Sequence, residues 1–120
     1  MLENTKYKMI IDPPREGLFN MNRDVELLES LSPNYIPIFR LYSWNPWCLS
    51  LGYNQKDDGI LKDKLQKDGY ELVRRPTGGR GVFHANELTY SIVTHLDNTR
   101  TKDYVYQEVH TIIAEVLRNI

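Results

Sequence analysis

One short run holds most of the side chains that could do chemistry: Arg74-Arg75-Pro76-Thr77-Gly78-Gly79-Arg80-Gly81-Val82-Phe83-His84. Glycines at 78, 79 and 81 allow positive φ and let backbone N–H groups come close to a ligand. Guanidinium forks beside such a backbone suit carboxylate or phosphate oxygens. The run is not a Walker loop, because no Gly-Lys-Ser/Thr closes it. It is not a dinucleotide fingerprint, because no long helix follows directly. Composition alone also permits an exposed hairpin loop with incidental arginines. Two flanking strand patterns, and the density of arginine, glycine and histidine, favour a ligand loop.

Other reactive side chains are few. Cys48 is the single cysteine, set between Trp47 and Leu49 in an apolar run. It reads as a buried small hydrophobe, since a reactive thiol needs a nearby cation or helix N-terminus. His84 reads as a pocket residue at the loop's end. Glu87 is placed either to orient His84 or to start a strand facing solvent. His95 and His110 read as bland. No His/Cys/Asp spacing suggests a metal site. Trp44 and Trp47, beside the Asn45-Pro46 turn, read as hairpin packing.

The elements that must position these groups follow from periodicity. Residues 8–12 read as a strand, stopped by Pro13-Pro14. Residues 20–31 read as a helix capped by Asn20, with Met21, Val25 and Leu28 at helical spacing, Leu27 and Leu31 widening the stripe, and Ser32-Pro33 ending it. Residues 36–42 and 47–51 read as a hairpin pair. Residues 57–67 suit a shorter helix, capped by Asp57 or Asp58, with Ile60, Leu61 and Leu65 inward and Gly69 at its C′ position. Strands at 70–74 and 82–84 bracket the loop. The strand at 87–94 alternates Leu88, Tyr90 and Ile92 with Thr89, Ser91 and Val93. Thr101 opens the longest helix, striped by Val105, Val109, Ile112, Ile113, Val116, Leu117 and Ile120. The expected fold class is α+β, a largely antiparallel sheet with packed helices.

With 120 residues, 41% hydrophobic and 26% charged, the chain suits one folded domain. A net charge of -1 provides no global basic field, so no nucleic-acid partner is expected and anion recognition must be local. No apolar run is long enough for a bilayer span. One cysteine and a start without a signal-peptide core lead to the expectation of a cytoplasmic protein without a membrane partner.

The run 74–91, from Arg74 through Glu87-Leu88-Thr89-Tyr90-Ser91, resembles the signature loop of the lipoate–protein ligase A and octanoyltransferase family. Three further pieces agree in order. Phe19-Asn20-Met21-Asn22-Arg23-Asp24 with Leu27-Leu28 resembles the family's first helix, and Arg40-Leu41-Tyr42-Ser43-Trp44-Asn45-Pro46 its first hairpin. Leu49-Ser50-Leu51-Gly52-Tyr53-Asn54-Gln55 resembles the Gly-x-x-Gln strand end beside the acyl pocket. The resemblance spans roughly residues 9–120 and implies a biotin/lipoate protein ligase catalytic-domain fold, seen in its N-terminal part. It implies transfer of an octanoyl or lipoyl group from a donor to a lysine of a lipoyl domain or carrier protein. The substrate- or acyl-adenylate-binding positions it implies are Arg75, Thr77, Gly78, Gly79, Arg80, Gly81, Val82, Phe83 and His84. Gly-Gly-Arg followed by Glu-Leu-Thr-Tyr-Ser is closer to the cysteine-dependent octanoyltransferases, which need no cofactor. The alternatives are a ligase using ATP and Mg, and a non-catalytic acyl-binding or partner subunit.

In that family the catalytic lysine or cysteine falls well beyond the signature loop, so it is expected beyond Ile120 and the catalytic residue within this chain is unknown. Lys102 is no substitute, because it starts a helix. The apolar end at Ile120 leads to the expectation of an incomplete domain, completed by more chain or by a second polypeptide.

Overall fold

The computed structural model describes residues 6–32, 35–57 and 59–120. In chain order it contains β1 (Lys8–Ile11), α1 (Gly17–Glu29), β2 (Ile38–Tyr42), β3 (Cys48–Leu51), α2 (Ile60–Lys67), β4 (Glu71–Arg74), β5 (Val82–His84), β6 (Thr89–Val93) and α3 (Lys102–Arg118). The α+β class stands. Two three-stranded sheets form, in the orders β1-β2-β6 and β4-β3-β5. Each has one parallel pairing (β1 with β2, β3 with β4) and one antiparallel (β2 with β6, β3 with β5). The sheets are therefore mixed rather than largely antiparallel. The expected hairpin also divides: β2 and β3 sit in different sheets, joined by a bend with a cis Asn45-Pro46 bond.

α1 starts earlier than its apolar periodicity indicated. Glu16 is the N-cap, and Asn20 lies inside the helix, fully buried. The Asn20 amide donates to the carbonyls of Arg15 and Ser43, so its side chain ties helix to bend instead of capping. The buried face runs through Asn20, Met21 and Leu27, which leaves Leu28 54% exposed. Asn20, a side chain expected at the cap, therefore belongs to the core.

One fully buried guanidinium ties this helix to the first sheet. Arg40 Nε donates to Asp12 (2.8 Å), Nη1 to Asp24 (2.9 Å) and the Asn20 carbonyl (3.0 Å), and Nη2 to Asn20 Oδ1 (2.9 Å). Its flat face lies 3.8 Å over the Tyr42 ring. Asp24 also accepts from Ser91 on β6 at 2.7 Å. Such a network satisfies every charge it buries, which is the condition for tolerating them.

Apolar packing joins the pieces. Met21, Tyr42, Trp44 and Cys48 meet between the two sheets, with Val73 against them. Leu27, Ile38 and Val93 pack under α1, and Phe39, Val105 and Val109 under α3. Thr101 caps α3, its hydroxyl accepting from the Tyr104 amide. Buried Glu108 anchors the helix by accepting from the Tyr7 hydroxyl and pairing with Arg100 at 3.3 Å. Farther along, Val116 and Leu117 are 55% and 65% exposed. α2 begins at Ile60 after N-cap Gly59, so Asp57 is not its cap, and Leu61 is 40% exposed rather than inward. Pro33, Asp58 and the side chain of Ile60 lie outside the described residues.

Candidate functional site

β3 is the middle strand of the second sheet, and both β4 and β5 pair with it. β4 runs parallel to β3 and β5 antiparallel, so the segment 75–81 must cross the end of β3, where Gly52 follows Leu51. The crossing is tight. A Cβ at Gly52 would lie 1.9 Å from the Gly79 carbonyl oxygen, and Gly79 itself holds φ +101°. Gly52 and Gly79 are required by close approach and by positive φ respectively. A side chain at Gly78 would meet nothing.

The arginines have different duties. Arg74 Nη1 donates to the carbonyls of Gly52 (2.8 Å), Tyr53 (3.3 Å) and Gln55 (2.6 Å), fastening the Gly-x-x-Gln turn. Arg75 braces the loop from inside. Its Nη1 donates to the Ser50 carbonyl (3.0 Å) and Ser50 Oγ (3.1 Å), and its Nη2 to the carbonyls of Gly78 (2.9 Å) and Arg80 (2.7 Å). The Arg80 side chain is exposed.

Behind the loop lies a cleft of about 960 Å³. Its lining takes Arg75, Thr77, Gly78, Gly79, Ser50 and His84 from the second sheet and its loop, Ile92 from β6, Leu96, and Lys102, Val105, Tyr106 and Val109 from α3. Of the positions implied by resemblance, Arg75, Thr77, Gly78, Gly79 and His84 therefore come together on the cleft. Arg80, Gly81, Val82 and Phe83 are outside its lining. Phe83 makes edge-on contacts with Trp47 and Tyr70 instead. Strand alternation was an available signal, since neighbours such as Phe83 and His84 face opposite sides of a sheet.

His84 is the most constrained group of the site. It is 8% exposed and its ring stacks on Trp44, centroids 4.0 Å apart and planes at 11°. Nε2 lies 2.9 Å from Ser50 Oγ, and Nδ1 lies 3.2 Å from Glu87 Oε1. Glu87 therefore faces His84, which resolves the two placements left open for it. Trp44 is thus part of the site, not only bend packing, and Ser50 and Thr89 join it. Their signal in the sequence was slight, because each acts through a partner distant along the chain.

Cys48 is fully buried and absent from the cleft lining. Burial, reinforced by the Glu71 carboxylate, pushes its thiol up to about 12 from an ordinary 9.0. The native thiol should resist iodoacetamide at pH 8 and label fully in urea, because only the thiolate attacks. Its neutral form is the one the fold favours. The stabilisation is complete below about pH 9, where both states hold the proton, and falls as pH rises toward 12 and only the unfolded chain loses it. Rapid labelling of the native chain would contradict this. Among the described residues no group of three or more His, Cys, Asp or Glu could hold a metal ion, and no helix is long and apolar enough to cross a membrane.

The family model of the lipoyl protein ligase A/B catalytic domain matches residues 16–120. The octanoyltransferase LipM of Anoxybacillus flavithermus is 52% identical over 105 residues, 83% of this chain and 38% of its own length. A bi-partite lipoate protein ligase from Thermoplasma acidophilum superposes with a TM-score of 0.68 at 24% identity, over 78% of this chain and 38% of that one. A lipoate-protein ligase A bound with ATP gives 0.62 at 26% identity, over 79% and 40%. The chain spans about two fifths of the length of the curated relatives it matches.

Proposed function

The chain belongs to the lipoyl protein ligase A/B catalytic-domain family, and from that membership we propose that it supplies the acyl-donor cleft for moving an octanoyl group to a lysine of a lipoyl domain. The observation that carries this reading is a cleft lined both by the polar donor loop and by apolar side chains of β6, α3 and the segment between them. The glycine loop with Arg75 and Thr77 supplies polar lining, and Ile92, Leu96, Val105 and Val109 supply apolar lining. An acyl thioester or acyl-adenylate has that same division, and pockets bind such ligands by apolar enclosure with a few placed polar groups. In this reading Arg75, Thr77, Gly78, Gly79 and His84 shape the head end. Arg80, followed by Gly81 and by Val82 and Phe83 at the start of β5, offers a cation to the donor's anionic part. The sole cysteine, buried with a raised pKa, is unsuited to attack. The nucleophilic cysteine or the lysine belongs to further polypeptide, in the same chain or a second one, which would also cover Val116 and Leu117. As a transferase the protein needs no cofactor, and the setting is the cytoplasm.

A second reading is ATP-dependent lipoate ligation, with ATP and Mg, favoured by the likeness to a ligase bound with ATP. In a third, the chain holds the acyl group without catalysing its transfer. The test begins with binding, read from tryptophan fluorescence in a Trp47→Phe background that leaves Trp44 as the reporter. Octanoyl carrier protein and octanoyl-adenylate analogue should bind without ATP. Leu96→Ala should weaken octanoyl ligands about tenfold and acetyl ligands not at all, as expected for losing about 1.5 kcal/mol of side-chain burial. Acyl transfer to a lipoyl domain is then assayed with further polypeptide added. Lipoylation that requires ATP and free acid would establish the ligase reading. Absence of binding by every acyl ligand would overturn the donor-cleft reading.

A further inference from the structure

A hydrogen-bonded line runs from β6 to the donor loop. Trp44 Nε1 donates to Thr89 Oγ1 (2.8 Å), and that hydroxyl donates to Glu87 Oε2 (2.7 Å). The other Glu87 oxygen meets His84 Nδ1 (3.2 Å), and His84 Nε2 meets Ser50 Oγ (2.9 Å). Ser50 Oγ then accepts from Arg75 Nη1 (3.1 Å). The donor roles can be worked out from the ends. Arg75 and Trp44 can only donate, and an ionised Glu87 can only accept. A carboxylate facing Nδ1 requires a proton there. Nε2 is then a lone pair for the Ser50 hydroxyl, whose own lone pairs remain for Arg75.

The opposite tautomer of His84 leaves groups stranded. It points the Nδ1 lone pair at the Glu87 carboxylate. It also aims a second donor at Ser50 Oγ, beside Arg75, and leaves the Ser50 hydrogen without an acceptor. Ser50 is fully buried, so water cannot take that hydrogen. The stacked Trp44 ring fixes the imidazole plane, and Glu87 and Ser50 fix its two ends.

We propose that Glu87 is a positioning residue that sets the Nδ1–H tautomer of His84 and, through Ser50, holds Arg75 as the brace of the loop. Arg75 Nη1 reaches the Ser50 hydroxyl and carbonyl while Nη2 holds the carbonyls of Gly78 and Arg80. A Ser50 hydroxyl turned the wrong way therefore loosens the segment that shapes the head end of the cleft. The order serine, histidine, carboxylate also occurs in hydrolase triads. Here the hydroxyl is closed off and already accepts from a guanidinium, so the relay positions and does not attack. What the loop closes upon rests on the acyl-donor reading above, whereas the tautomer and the brace rest on these hydrogen bonds alone.

The test uses the full chain labelled with 15N-histidine, with His84 assigned by its loss in His84→Asn. Glu87→Gln keeps an oxygen acceptor for Nδ1–H, and Glu87→Ala removes it. Wild type and Glu87→Gln should show a protonated Nδ1 and a bare Nε2, and Glu87→Ala a mixture. The Tyr53 amide, bonded to the Thr77 carbonyl at 2.9 Å, reports loop closure. Its hydrogen exchange should quicken roughly tenfold in Glu87→Ala and stay near wild type in Glu87→Gln. Octanoyl-adenylate analogue should bind more weakly to Glu87→Ala, with rescue in Glu87→Gln. An unchanged tautomer and unchanged Tyr53 exchange in Glu87→Ala would overturn the proposal. So would hydrolysis of p-nitrophenyl octanoate that disappears in Ser50→Ala, since Ser50 would then be a nucleophile. If tautomer and exchange respond as stated while wild type binds no acyl ligand, the positioning role stands and the donor reading falls.

Discussion

Gly52→Ala is expected to weaken octanoyl-ligand binding by about a hundredfold, close to 3 kcal/mol, while the sheets stay folded. The new methyl would sit 1.9 Å from the Gly79 carbonyl oxygen and 2.8 Å from its carbonyl carbon. Both atoms are backbone, so no rotamer change relieves the overlap, and the crossing segment must lift from the end of β3. Lifting it breaks the bond from the Tyr53 amide to the Thr77 carbonyl and pulls Gly78 and Arg80 from the Arg75 fork. The strands on either side keep their pairings, so the loss of stability should be on the order of the 1–3 kcal/mol typical of overpacking. Gly78→Ala is the matched control, since its Cβ meets nothing within 4 Å. Calorimetric titration beside a thermal melt separates the two effects. An affinity within twofold of wild type in Gly52→Ala would show that the closed loop does not shape the site.

Arg40→Met should cost about 3–5 kcal/mol, the range for removing one partner from a buried ion pair. The methionine fills much of the volume but donates nothing. Asp24 loses its cation, Asp12 keeps only Arg23 at 3.5 Å, and Asn20 loses the donors to its carbonyl and side-chain oxygens. Lysine should rescue little, because a point charge cannot reach Asp12, Asp24 and Asn20 in one plane. Since small domains are stable by only about 5–15 kcal/mol, the variant should unfold at a much lower urea concentration. A shift worth less than about 1 kcal/mol would mean that water enters and replaces the guanidinium, which its full burial argues against.

What the sequence determined by itself was local or compositional. The cap at Thr101, the stripe of Val105 and Val109, the extended run 82–84 and the glycine-arginine loop each follow from residues within a few positions of one another. Backbone sterics and near-neighbour hydrogen bonds act at that range. The burial and inertness of Cys48 were legible for the same reason. The tertiary structure decided what depends on chain segments meeting. Whether the 38–42 and 48–51 strands pair is a matter of long-range register, which β6 and β4 settle by taking those edges. Met21 and Leu27 were legible on the inward face of α1, but Asn20 read as a cap, and its burial depends on Arg40 from β2 and the carbonyls of Arg15 and Ser43 meeting it. Gly52 reads locally as a turn residue, and its closeness to Gly79 exists only after β4 and β5 flank β3. The same holds for Glu87, which could have faced solvent. Its own partners His84 and Thr89 are near in the chain, but Trp44, Ser50 and Arg75, which hold the hydrogen-bonded line at its two ends, come from separate strands and bends, and a hydrogen bond reaches about 3 Å in space whatever the distance along the chain.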